Sequence, residues 1–120
     1  MKDLKKISNK VSCDIISIYN DFEELQKKFK ENKISEQKYN DARFVLASKA
    51  AYLSNVVDIL IENNIEVKYE NALEDLCDEL CDDLSMAAIS DLNGTAVLSI
   101  LTFSSKYKSV LPLNDNEKGI

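Results

Sequence analysis

The feature that most constrains this chain is a single apolar stripe running through its first thirty residues. Leu4, Ile7, Val11, Ile15, Ile18, Phe22, Leu25 and Phe29 follow one another in steps of three and four. Only a helix brings such positions onto one side, and here the side stays narrow for roughly seven turns. Apart from Cys13, Ile16 and Tyr19, the rest of the segment is mostly polar. The pattern predicts a long outer helix from about Asp3 to Lys30, packed lengthwise on a neighbour.

Asn32 and Lys33 interrupt the stripe, and a helix start follows. Ser35 is placed to cap free N–H groups, and Ile34 and Tyr39 are spaced as a hydrophobic staple. The second helix, Glu36 to about Glu62, carries Ala42, Val45, Leu46, Ala50, Leu53, Val56, Val57 and Leu60 around half its circumference. It is expected to be the central helix, with Ala47, Ala50 and Ala51 allowing a close neighbour. So short a link predicts an antiparallel hairpin over 3–62.

Asn63 and Asn64 are stop residues, because asparagine tolerates the left-handed conformation. Ile65–Tyr69 alternates like a strand but has nothing to pair with, so it reads as an extended connector. Asn71 with Glu74 forms a capping-box pattern for a third helix over 72–92, with Leu73, Leu76, Cys77, Leu80, Cys81, Leu84, Ala87 and Ala88 inward. Asn93-Gly94 ends it. Thr95 starts a fourth helix over 95–109, with Val97, Leu98, Ile100, Leu101, Phe103 and Tyr107. Pro112 closes that helix, and residues 113–120 read as a disordered tail behind a single domain, 1–112. With only two glycines and one proline, an all-β chain with a turn at every hairpin is disfavoured. The expected fold is a compact all-α bundle of about four helices.

The absences narrow the chemistry. There is no histidine, which removes Ser-His-Asp, Cys-His and histidine–metal arrangements from this chain acting alone. Three cysteines do not suggest a disulfide scaffold, and Cys77 and Cys81 read as small apolar groups in the core. No signal-peptide pattern opens the sequence, and the longest uninterrupted apolar run, Val97 to Phe103, is far shorter than the ~20 residues of a membrane helix. A soluble, cytoplasmic protein without membrane contact or cofactor is the expectation. The amino-terminal lysines Lys2, Lys5, Lys6 and Lys10 read as solvated surface.

Charge is distributed unevenly. Eight acids and no Lys or Arg lie between Tyr69 and Ser105, while the rest of the chain holds 13 acids against 15 bases. The net charge of −6 therefore comes from one region. On a helical projection Asp75, Asp78, Glu79 and Asp82 fall opposite the leucines, flanked by Glu74 and Asp83. Met86 and Ile89 leave the inward face nearby. Like charges three and four apart destabilise a helix, and mixed signs would serve solubility equally well. The pattern reads either as a merely solvated face or as a docking face for a basic protein surface, formed by Glu74, Asp75, Asp78, Glu79, Asp82, Asp83, Met86 and Ile89. Such a face repels phosphates, so direct nucleic-acid binding is disfavoured.

The same residues allow one catalytic comparison. Glu79-Leu-Cys-Asp82 resembles, in isolation, one of the carboxylate pairs with which all-α nucleotide pyrophosphohydrolases of the MazG type hold magnesium. That resemblance implies a second, inward-facing pair on a neighbouring helix. The second helix offers only Asp58 and Glu62 near its end. Lys49 falls within that helix's apolar arc, where it either snorkels to water or pairs with an acid such as Asp14. The leading expectation is a non-enzymatic protein-binding chain: an inhibitor or accessory protein, immunity-like or anti-defence in character, of the kind phages and mobile elements encode. A subunit of a homo- or hetero-oligomer ranks second and the metal-dependent hydrolase third.

Overall fold

The computed structural model describes residues 3–81 and 94–107. Among these residues the chain forms four α-helices and no strand: α1 (Leu4–Lys30), α2 (Glu36–Glu62), α3 (Glu70–Cys81) and α4 (Gly94–Ser105). The all-α bundle expected from periodicity is the fold. The tail at 113–120 lies outside the described residues.

Local chemistry explains the ends of the first two helices. The Asp3 side chain accepts from Lys6 N–H and the Ser35 side chain from Lys38 N–H, each satisfying a donor that the first helical turn leaves free. Both helices stop the same way. Asn32 and Asn64 have φ of 60° and 62°, the left-handed turn that asparagine accepts more readily than most residues. Lys33 N–H then bonds Lys28 O and Ile65 N–H bonds Leu60 O, while Asn32 and Asn64 donate to Phe29 O and Ile61 O. This pair of bonds is the Schellman closure at each end. Ile65 packs against the core, as the residue after a left-handed stop commonly does.

The two long helices fold back on each other. At the link the Phe29 and Tyr39 rings stack with centroids 4.3 Å apart. At the far end Ser8 Oγ donates to the Glu66 carbonyl at 2.7 Å, tying the connector beyond α2 to the start of α1. The connector is not a strand; Val67 anchors it by burial. The stripe on α1 buries Val11, Ile15, Ile18 and Phe22. Its last member, Phe29, stays partly exposed and finds its partner in Tyr39.

Helix α2 is the axis of the molecule. It packs against α1, α3 and α4, whereas the described backbones of α3 and α4 do not approach each other closely. Leu53, Val56, Leu60 and Ala50 are fully buried along it. At about 1.5–3 kcal/mol for each fully buried large apolar side chain, Leu53, Leu60, Ile15 and Leu80 are major contributors to the core. Ala47 and Ala50 are covered by neighbours, but Ala51 faces solvent. By length and mean hydropathy, α2 is also the one described helix that could cross a membrane. The reading from uninterrupted apolar runs overlooked it, because Arg43, Lys49 and Asp58 punctuate its apolar residues. Here Leu46, Ala50, Leu53, Val56, Val57 and Leu60 are buried against the rest of the bundle, while Ala51 and Ile61 stay exposed.

Three boundaries differ from expectation, the first being that α4 begins at Gly94, so Thr95 lies within its first turn rather than ahead of it. Helix α3 begins at Glu70, so Asn71 lies inside the first turn and does not cap it. The turn is set by Tyr69, whose φ of 66° is left-handed and whose carbonyl accepts from Leu73 N–H. Helix α4 ends at Ser105, with 106 and 107 in a turn.

That turn carries the main polar link between the end of the described chain and its beginning. Tyr107 is fully buried and donates its hydroxyl to the Asp14 carboxylate, while Lys106 Nζ bonds both Asp14 oxygens at 2.9 and 3.0 Å. The partner of Asp14 is therefore Lys106, and the alternative pairing with Lys49 does not form. Lys49 instead places its ammonium 5.6 Å from the Phe103 ring centroid. Burial, the hydrogen bond to Asp14 and the Asp14 charge together push the Tyr107 hydroxyl well above the usual tyrosine pKa.

Candidate functional site

Helix α3 is amphipathic in a simple way. Leu73, Leu76 and Leu80 are buried against the bundle, and Cys77 is half-buried beside them. At about 100° per residue, Glu74, Asp75, Asp78 and Glu79 fall on the opposite arc, and all four are exposed. The outward placement expected for these acids is observed. Asp82, Asp83, Met86 and Ile89 lie outside the described residues.

One contact ties this helix to its neighbour. Arg43 on α2 donates from a terminal nitrogen to the Glu79 carbonyl at 2.7 Å, holding the end of α3 against α2. On α1, Tyr19 sits in a negative field. Its hydroxyl is held above the ordinary value by a hydrogen bond to Glu23 and by the Glu23 charge, then by partial desolvation, and least by the Glu79 charge. Helices α1 and α3 also pack on each other, and the exposed Tyr19 of α1 feels the charge of Glu79 weakly.

Tyr19 is 46% exposed. Ile16, three residues earlier on the same flank, is exposed as well. An aromatic at the margin of a charged patch is a common anchor in protein interfaces. The signal for this flank was present in the sequence, since Ile16 and Tyr19 are apolar residues standing off the α1 stripe. What pattern alone could not supply was which helix lay beside them.

The two ion pairs between described residues are Lys33–Glu31 and Lys106–Asp14, and neither draws on α3. Nor do the acids gather inward. Asp58, Glu62 and Glu79 are each exposed, so these residues do not form the inward-facing carboxylate pair that the pyrophosphohydrolase comparison requires. Among the described residues no group of three or more Cys, Asp or Glu side chains is arranged to hold a metal ion. Cys13 is exposed on α1, and Cys77 is half-buried on α3. The Cys81 side chain lies outside the described residues.

Comparison of the chain with protein-family models, with curated proteins and with solved structures finds no match. Its functional reading therefore rests on its own surface chemistry.

Proposed function

We propose that this chain is a non-enzymatic binding protein that presents the α3 face to a basic surface on another protein in the cytoplasm. The observation that carries the reading is the exposure of Glu74, Asp75, Asp78 and Glu79 together on one face, with neither described ion pair compensating them. Such a concentration of one sign lowers helix stability yet accelerates encounter with an oppositely charged partner. Tyr19 at the margin supplies apolar area that charge alone lacks. The sequence continues the acidity through Asp82 and Asp83. An inhibitor or accessory role, immunity-like or anti-defence in character, fits a small acidic chain that occupies a basic groove.

The test is capture from the native host's lysate on immobilised protein, followed by elution with increasing salt. A basic protein released between low and moderate ionic strength supports the reading, because screening shortens the reach of exposed charges to about 8 Å at 0.15 M. Retention only of neutral or acidic proteins, insensitive to salt, refutes it.

A second reading, self-association, is favoured by α4. Val97, Leu98 and Leu101 are 43%, 63% and 59% exposed on one short helix, an apolar surface of the kind that interfaces cover. Light scattering across a concentration series separates the two. A monomer at high concentration removes the second reading.

A further inference from the structure

On the side of α2 that faces α4, a cleft of about 450 Å³ is lined by Lys49, Leu98, Ser99, Thr102, Phe103 and Lys106. It is an open groove, with Leu98 and Thr102 exposed at its rim and Phe103 buried at its floor. Phe103 and Leu98 give it apolar surface, and two ammonium groups flank the phenyl ring, with Lys49 at 5.6 Å and Lys106 at 5.0 Å from the centroid.

The two cations are not equivalent. Lys106 is neutralised by the Asp14 carboxylate at 2.9 Å. Lys49 is half-buried, and no carboxylate among the described residues lies within ion-pair distance of it. Attraction to the Phe103 ring holds Lys49 in place but leaves its positive charge uncompensated. The hydroxyls are also uneven. Ser104 and Ser105 donate to the carbonyls of Leu101 and Thr102, three residues back in each case. The hydroxyls of Ser99 and Thr102, which line the cleft, make no hydrogen bond among the described residues. Ser99 also borders a second cleft of about 550 Å³ whose apolar lining includes Leu25, Ile34, Val45 and Leu46. The lining of that cleft holds Lys28 and Lys38 together with Asp21 and Asp41, equal numbers of each sign, whereas the cleft between α2 and α4 is lined by Lys49 and Lys106 and by no acid.

We propose that the cleft between α2 and α4 binds an aliphatic monocarboxylate, its carboxylate on Lys49 beside Ser99 and Thr102 and its hydrocarbon on Phe103 and Leu98. One uncompensated ammonium calls for one negative charge, and apolar walls call for an apolar body. A charge-assisted bond in a partly desolvated site supplies orientation as well as affinity. The described acids of α3 do not line this cleft, and the backbones of α3 and α4 do not approach each other closely.

The experiment is a two-dimensional NMR titration of the full chain with sodium octanoate below its micelle concentration, repeated with 1-octanol and with the Lys49→Met and Lys49→Arg variants. Met keeps the apolar stem of the lysine, and circular dichroism checks that each variant is folded. The expected result is saturable shifts at Lys49, Ser99 and Thr102, with octanol and Lys49→Met binding at least ten-fold more weakly and Lys49→Arg retaining most of the affinity. Absence of saturable shifts at these residues overturns the proposal, as does equal binding of octanol or undiminished binding by folded Lys49→Met. Capture of a basic protein partner is expected to be the same for Lys49→Met and the wild type, so either proposal can fail without the other.

Discussion

Replacing Asp75 and Asp78 together by asparagine should stabilise the protein. Within α3 the like-charged neighbours at helical spacing are Glu70/Glu74, Glu74/Asp78, Asp75/Glu79 and Asp75/Asp78. The double substitution removes three of the four. At about 0.2–0.5 kcal/mol per pair, it should raise stability by about 0.6–1.5 kcal/mol at low ionic strength. Other contributions are small, since Asn and Asp have similar helix propensities and both sites lie beyond the first turn, where the helix dipole matters most. Both side chains are exposed, so no packing is lost. Urea denaturation followed by circular dichroism at about 20 mM and about 1 M salt would measure the difference. At the higher salt the screening length is about 3 Å and most of the gain should vanish. Loss of stability at low salt would mean that these carboxylates hold the fold together, and the argument for a free acidic face would fail.

Further substitutions probe the latch, the turns and the core. Tyr107→Phe removes a buried hydrogen bond to an ionised carboxylate and should cost about 1.5–3 kcal/mol, read from denaturant midpoints. The raised pKa of Tyr107 has a definite pH signature. Its contribution is fully present below about 10, the unfolded tyrosine value, and is lost as pH climbs through the window above it, so wild-type stability should fall there more steeply than that of Tyr107→Phe. Asn64→Ala forces a Cβ-bearing residue without a compensating polar side chain to keep φ near 62° and should cost about 1 kcal/mol. Tyr69→Gly relieves the same strain at a half-exposed ring and should be neutral or stabilising by up to about 1 kcal/mol. Leu53→Ala, at a fully buried site on α2, should cost about 2–5 kcal/mol in the same assay.

Much of the architecture was legible because it depends on local chemistry. The steps of three and four from Leu4 to Phe22 reappear as the buried face of α1, and Ser35, Asn32 and Asn64 act as the cap and stops that their side chains suit. The start of α3 was missed. A capping box is a polar signal, whereas here the turn is made by Tyr69 in a conformation that a tyrosine rarely adopts. The contacts of Asp14 were missed for another reason. Its partners stand 92 and 93 residues away, and no spacing rule reaches across that distance. The acidic arc of α3 followed directly from helical periodicity. The weak effect of the Glu79 charge on Tyr19 did not, because it depends on which flank of α1 lies beside α3. Lys49 was recognisable as an oddity on an apolar arc, but only the structure shows it beside the Phe103 ring with no carboxylate among the described residues in ion-pair distance.

The central claim is that the face of α3 carries the function, and a charge reversal tests it most directly. Wild-type protein and an E74K/D75K/D78K/E79K variant, both verified as helical by circular dichroism, should be compared in capture from the native host's lysate with mass spectrometry of the bound fraction. The account predicts a basic protein retained by the wild type and absent from the variant. Recovery of the same partner in equal amount by the folded variant would contradict it.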